Sequence, residues 1–107
     1  MQLWYRALGS FGANCYIVAC EETRQALVID PGVPDPWIQS CVTENNLTVA
    51  GIVLTHGHAD HVGDAVAIAQ RTGALIVAPV ELANWISKQG APRVHGMNFG
   101  GSRPFGF

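Results

Sequence analysis

Apolar positions gather into short blocks along the chain, and four of these blocks predict strands. Asn14 to Cys20 carries Tyr16-Ile17-Val18, three residues with strand preference. Glu21-Glu22-Thr23-Arg24-Gln25 is the one charge-dense stretch and predicts a hairpin turn. Ala26-Leu27-Val28-Ile29-Asp30 follows without polar alternation, so both faces of that strand are expected to be covered. Pro31-Gly32 stops it. Asp35 and Pro36 then predict a helix start, the aspartate as N-cap and the proline at the first helical position. Ile38, Cys41 and Val42 fall on one face of that helix, and Asn45-Asn46 close it.

The second half of the chain alternates. Gly51-Ile52-Val53-Leu54-Thr55 predicts a third, buried strand, and the stretch from His56 to Gly63 is polar with two glycines. Gly63 or Asp64 opens a helix that runs through Arg71, with Gly73 placed as its C-terminal cap. Ala74-Leu75-Ile76-Val77-Ala78 predicts a fourth strand. Pro79 opens a further helix with Leu82, Trp85 and Ile86 on one face and Gly90 at its end. At helical apolar spacing, Trp37 and Trp85 are expected in the core or between helices. Beyond Arg93 the chain is glycine-rich. Strands first, then strand–helix alternation, predict an α/β (α+β) fold: a mixed sheet with helices packed on one face.

Composition narrows the function classes. A chain of 107 residues suits one domain and excludes two full ones. With 49% hydrophobic and 13% charged residues, a core can form and disorder is not expected. The net charge is −2, and neither half is basic, which argues against a nucleic-acid binder. The longest apolar runs are about five residues, too short to span a membrane. The start, Met1-Gln2-Leu3-Trp4-Tyr5-Arg6, has no secretory pattern. Cys15, Cys20 and Cys41 cannot all pair with one another, so reduced thiols and a cytoplasmic location are expected. The cysteines fit core positions better than metal positions.

The chemistry concentrates in Thr55-His56-Gly57-His58-Ala59-Asp60-His61, which holds three of the four histidines. It follows a buried strand and precedes a helix, the position where open α/β sheets place their ligands. In an extended stretch, residues two apart point the same way, so His56 and His58 can converge on one cation. Gly57 between them lets the backbone turn tightly. Asp60 and His61 come as the chain bends into the helix and can address a second cation. Imidazole suits zinc, iron and other borderline metals, and a carboxylate adds charge and hardness. Two cations roughly 3.5–4 Å apart would acidify a bridging water near neutral pH. The plain alternative is a histidine-rich surface loop. His95, the remaining histidine, is expected to be a loop or turn residue.

His56-x-His58-x-Asp60-His61 at the end of an apolar strand resembles the signature of the metallo-β-lactamase-fold hydrolases. Phe11-Gly12-x-Asn14-Cys15-Tyr16 and Leu27-Val28-Ile29-Asp30-Pro31-Gly32 resemble the glyoxalase II-like branch. Gly63-Asp64-Ala65, Glu81-Leu82-Ala83-Asn84-Trp85 and His95-Gly96-Met97-Asn98-x-Gly100-Gly101-Ser102 resemble a branch of uncharacterised metal-dependent hydrolases.

The resemblance implies an αββα sandwich, of which residues 1–107 would be a single incomplete domain, the N-terminal half. It implies two divalent metal ions, zinc first, with iron or manganese as the other candidates. Residues matching His56 and His58 hold one metal, and those matching Asp60 and His61 hold the other. Asp60 would also orient the nucleophile or accept its proton. Asp30 resembles a residue that steadies the histidine loop from behind, as metal-bound imidazoles require; a plain strand-ending turn is its other reading. The implied reaction is attack of metal-bound hydroxide on the carbonyl of a small-molecule thioester, ester or lactone. Family members are about twice this length or more and draw further ligands from their second half. The other reading is therefore a non-catalytic metal-binding fragment or half of a split protein. The uncovered sheet face would then be a surface for homo-oligomer formation.

Overall fold

The computed structural model describes residues 1–9, 12–55 and 64–97. The described strands are β1 (Gln2–Leu8), β2 (Ala13–Ala19), β3 (Gln25–Ile29), β4 (Thr48–Val53), β5 (Leu75–Pro79) and β6 (Val94–Met97). The described helices are α1 (Pro36–Glu44), α2 (Ala65–Thr72) and α3 (Val80–Lys88). The strands form one mixed sheet in the order β1-β2-β3-β4-β5-β6. The first two pairings are antiparallel and the last three parallel.

This order explains where the helices go. Each parallel step needs a crossover, and crossovers strongly favour one hand. Three steps in the same direction therefore put α1, α2 and α3 on the same face. The core reflects this. Cys15, Ile17, Ala19, Ala26, Val28, Ile52, Ile76 and Ala78 from the sheet are buried with Ile38, Cys41, Ala65, Ile68, Ala69, Ala83 and Ile86 from the helices. The opposite face carries Tyr16, Val18, Leu27, Ile29 and Val53, all half-buried, and Leu3 and Tyr5, which are exposed. Tyr5 lies across from Tyr16, with ring centroids 6.1 Å apart. The expectation that both faces of β3 are covered is corrected accordingly: Ala26 and Val28 are buried, whereas Leu27 and Ile29 lie on the helix-free face and are only half-buried.

Local signals place the helix ends. The Asp35 carboxylate accepts the N–H of Trp37 at 2.8 Å and caps α1, with Pro36 next. Asn45 closes α1, its side-chain amide donating to the Cys41 carbonyl at 2.8 Å. Gly73 takes a left-handed φ of 74° and ends α2. Two expectations fail here. Trp85 is 52% exposed, because Ala83 and Ile86 already fill the inward stripe of α3. His95 is not in a turn but in β6, opposite Val77. The open edge of β5 offers unpaired backbone groups to the next segment, and that pairing outweighs the presence of Gly96. The glycine has its own packing reason: a Cβ there would stand 3.2 Å from Val80 Cα and 3.3 Å from Ala83 Cβ, so α3 lies close against the β6 backbone. Among the described residues no helix is long and apolar enough to cross a membrane.

Candidate functional site

β3 and β4 run parallel, and Ile29 stands opposite Val53 at their carboxyl ends. The residues that follow, Asp30 and Thr55, therefore emerge side by side. Asp30 takes a left-handed φ of 54°, a conformation that only a few non-glycine residues, aspartate among them, tolerate. That turn drives the carboxylate back toward β4. Its Oδ1 accepts the Thr55 N–H at 2.9 Å, and its Oδ2 accepts the Thr55 hydroxyl at 2.7 Å. The Asp30 N–H donates to the Val53 carbonyl at 3.0 Å. Asp30 is buried, with 6% of its surface exposed. A buried carboxylate gripping one residue through both oxygens fixes that residue in position and direction.

Thr55 is the residue directly before His56. On the far side of the histidine segment, the Asp64 N–H donates to the Pro31 carbonyl at 3.0 Å. Both flanks of residues 56–63 are thus tied to the same turn, Asp30-Pro31. Pro31 is itself fully buried, which anchors the turn in the core. His56, His58, Asp60 and His61 fall in the segment 56–63, outside the described residues. Of the residues expected at the site, the structure accordingly locates Asp30. It adds Thr55 and the Pro31 carbonyl, which sequence reasoning missed. Thr55 carried no signal in the sequence beyond its place one residue before the histidines, because its pairing depends on β3 and β4 being parallel neighbours.

Cys15 and Cys41 are core thiols. Among the described residues no group of three or more histidine, cysteine, aspartate or glutamate side chains is placed to hold a metal ion. Cys15 is fully buried, and burial, followed by the nearby Asp30 carboxylate, pushes its pKa from 9.0 to about 12. Burial also pushes the Cys41 thiol up. Both stay protonated at neutral pH, whereas metals bind the thiolate.

The Cys15 shift has a consequence for stability. Between pH 9 and 12 the folded chain keeps a proton that the unfolded chain has lost, so stability falls as pH rises through that window. The slope approaches about 1.4 kcal/mol per pH unit at most. Urea unfolding at a series of pH values should show this decline, and Cys15→Ala should flatten it. An equal slope in the variant would contradict the assignment.

The sequence model of the Metallo-beta-lactamase superfamily matches residues 8–101. A UPF0173 metal-dependent hydrolase from Shouchella clausii (strain KSM-K16) is 43% identical over 91 residues, covering 85% of this chain and 40% of the relative. Among solved structures, ETHE1 from Myxococcus xanthus is 33% identical with a TM-score of 0.64, covering 72% of this chain and 35% of the other. A metallo-beta-lactamase from Staphylococcus aureus subsp. aureus COL superposes with a TM-score of 0.73 at 22% identity, covering 99% of this chain and 32% of that one. The chain thus spans about two fifths of the length of the curated relative it matches.

Proposed function

Because the chain belongs to the metallo-beta-lactamase superfamily and resembles its metal-dependent hydrolases, we propose that it is the N-terminal part of a hydrolase acting on a small-molecule thioester, ester or lactone. The observation that supports this reading most is the double tether: Asp30 holds Thr55, and Pro31 holds Asp64, on either side of the histidine segment. A loop that merely joined a strand to a helix would need neither a buried carboxylate nor a strained turn behind it.

The donor set suits divalent cations. Three imidazoles and a carboxylate within six residues match what zinc, iron and manganese accept. His56 and His58 would hold one ion, and Asp60 and His61 the other. When bound, such ions supply Lewis-acid activation of the scissile carbonyl and of water. The chain's own contribution is orientation and proton handling. Asp30 fixes the first residue of the loop, so the rings that follow start from a defined direction. Asp60 orients the attacking water and takes its proton.

Catalytic zinc ordinarily has three protein ligands and an open position. Residues 1–107 offer two per ion, so the remaining ligands belong to a further part of the hydrolase. Binding without turnover is accordingly the second reading for residues 1–107 alone. The helix-free sheet face, with Leu3 and Tyr5 exposed, is the surface through which copies of this chain would associate. The free thiols suit the cytoplasm.

The test is to join residues 1–107 to the C-terminal three fifths of the Shouchella relative and assay chromogenic thioesters, esters and lactones. Metal-dependent hydrolysis should appear in the joined protein and disappear in Asp60→Ala. Hydrolysis that Asp60→Ala leaves intact would overturn the proposed roles.

A further inference from the structure

Asp64 stands directly before α2, where a carboxylate ordinarily accepts an N–H of the first helical turn. Here its side chain makes no such bond. The residue is only 8% exposed, and among the described residues its carboxylate has neither a hydrogen-bond nor an ion-pair partner. Burial pushes its carboxyl upward, and Arg71 pulls the other way. Buried polar groups without partners are rare because they cost free energy, so a buried carboxylate in this position calls for an explanation.

Asp64 is one of the residues lining a cavity of about 360 Å³, with Pro34, Asp35, Pro36, Gln39 and Arg71. That volume falls at the lower end of small-molecule sites. Asp35 is already fixed, because its Oδ1 accepts the Trp37 N–H. Arg71 lies seven residues after Asp64, two turns along the same face of α2. It is exposed, whereas Asp64 is buried. The cavity therefore has a buried anionic end and a cationic mouth, with two proline rings as apolar wall.

We propose that this cavity binds a small zwitterion of the free α-amino-acid class, its ammonium group on Asp64 and its carboxylate on Arg71. A simple cation would meet the Arg71 guanidinium. A simple anion would meet Asp35 and Asp64. A molecule carrying both charges satisfies both ends at once, and an aliphatic side chain rests against Pro34 and Pro36. The Gln39 amide can serve either end. Binding here involves no metal ion and is independent of the hydrolase reading.

The experiment is an amide-resolved NMR titration of the chain in EDTA with glycine, L-alanine and L-valine, with ethylamine and acetate as single-charge controls. Saturable shifts at Asp35, Gln39, Asp64 and Arg71 are expected, with millimolar dissociation constants. Each control should bind at least about tenfold more weakly, and Asp64→Asn and Arg71→Gln should each weaken the amino acids by about tenfold or more. Arg71→Gln changes an exposed side chain, so it carries the test even if Asp64→Asn misfolds. Absence of saturable shifts up to about 100 mM, or equal binding by the controls or by Arg71→Gln, would overturn the proposal.

Discussion

Replacing Asp30 with alanine should destabilise the chain by about 3 kcal/mol and weaken zinc binding about 10- to 100-fold. The stability loss has two sources. The carboxylate accepts two hydrogen bonds from Thr55, at 2.9 and 2.7 Å. Bonds to charged groups contribute about 1.5–3 kcal/mol net, and because Thr55 is exposed and water can replace the lost acceptor, the pair together contributes about 2 kcal/mol. Alanine must also hold the φ of 54°, which costs about 1 kcal/mol where no side-chain hydrogen bond offsets it. The zinc effect follows from position, because Thr55 leads straight into His56. Asp30→Asn separates the causes. Asparagine tolerates the left-handed turn and keeps one acceptor, so it should recover most of the stability. Without the charge it should recover only part of the zinc affinity. Urea denaturation and zinc titration of the three proteins measure both quantities. Equal zinc affinity in all three would show that the turn does not position the loop.

The second large effect belongs to the histidines. His58→Ala should abolish measurable zinc binding to residues 1–107, because it removes one of only two side chains proposed for the first ion. A site with two protein ligands has no redundancy: the remaining imidazole at His56 alone competes poorly with water. The same replacement should leave the unfolding curve recorded without metal unchanged, since a ligand side chain adds to stability through the ion it holds. A loss of binding without loss of stability is the signature that separates a ligand from a structural residue.

How far these features could be read from the sequence depended on how local their causes were. The Asp35-Pro36 helix start and the Gly73 helix end were legible, because a cap is decided by one or two residues. β2 to β5 were legible from their apolar blocks, with ends shifted by a few residues at most. β6 was not, because His95 and Gly96 have weak strand preference and the strand exists through pairing with β5. The exposure of Trp85 was equally hidden: helical spacing names a stripe but not how narrow the contact will be. Asp30 was legible as a residue of interest, but its partner was not. The pairing with Thr55 requires β3 and β4 to be parallel neighbours with Ile29 opposite Val53, a fact of topology 25 residues apart in sequence.

The segment beginning at His56 is proposed here as a metal site, held from behind by the Asp30-Pro31 turn. Calorimetric titration of zinc into residues 1–107 at pH 7.5, in two buffers of different ionisation enthalpy, tests it most directly. Weak binding accompanied by proton release is expected, since imidazoles must be neutral to ligate, and no binding in His58→Ala. Tight binding that survives His58→Ala would contradict it.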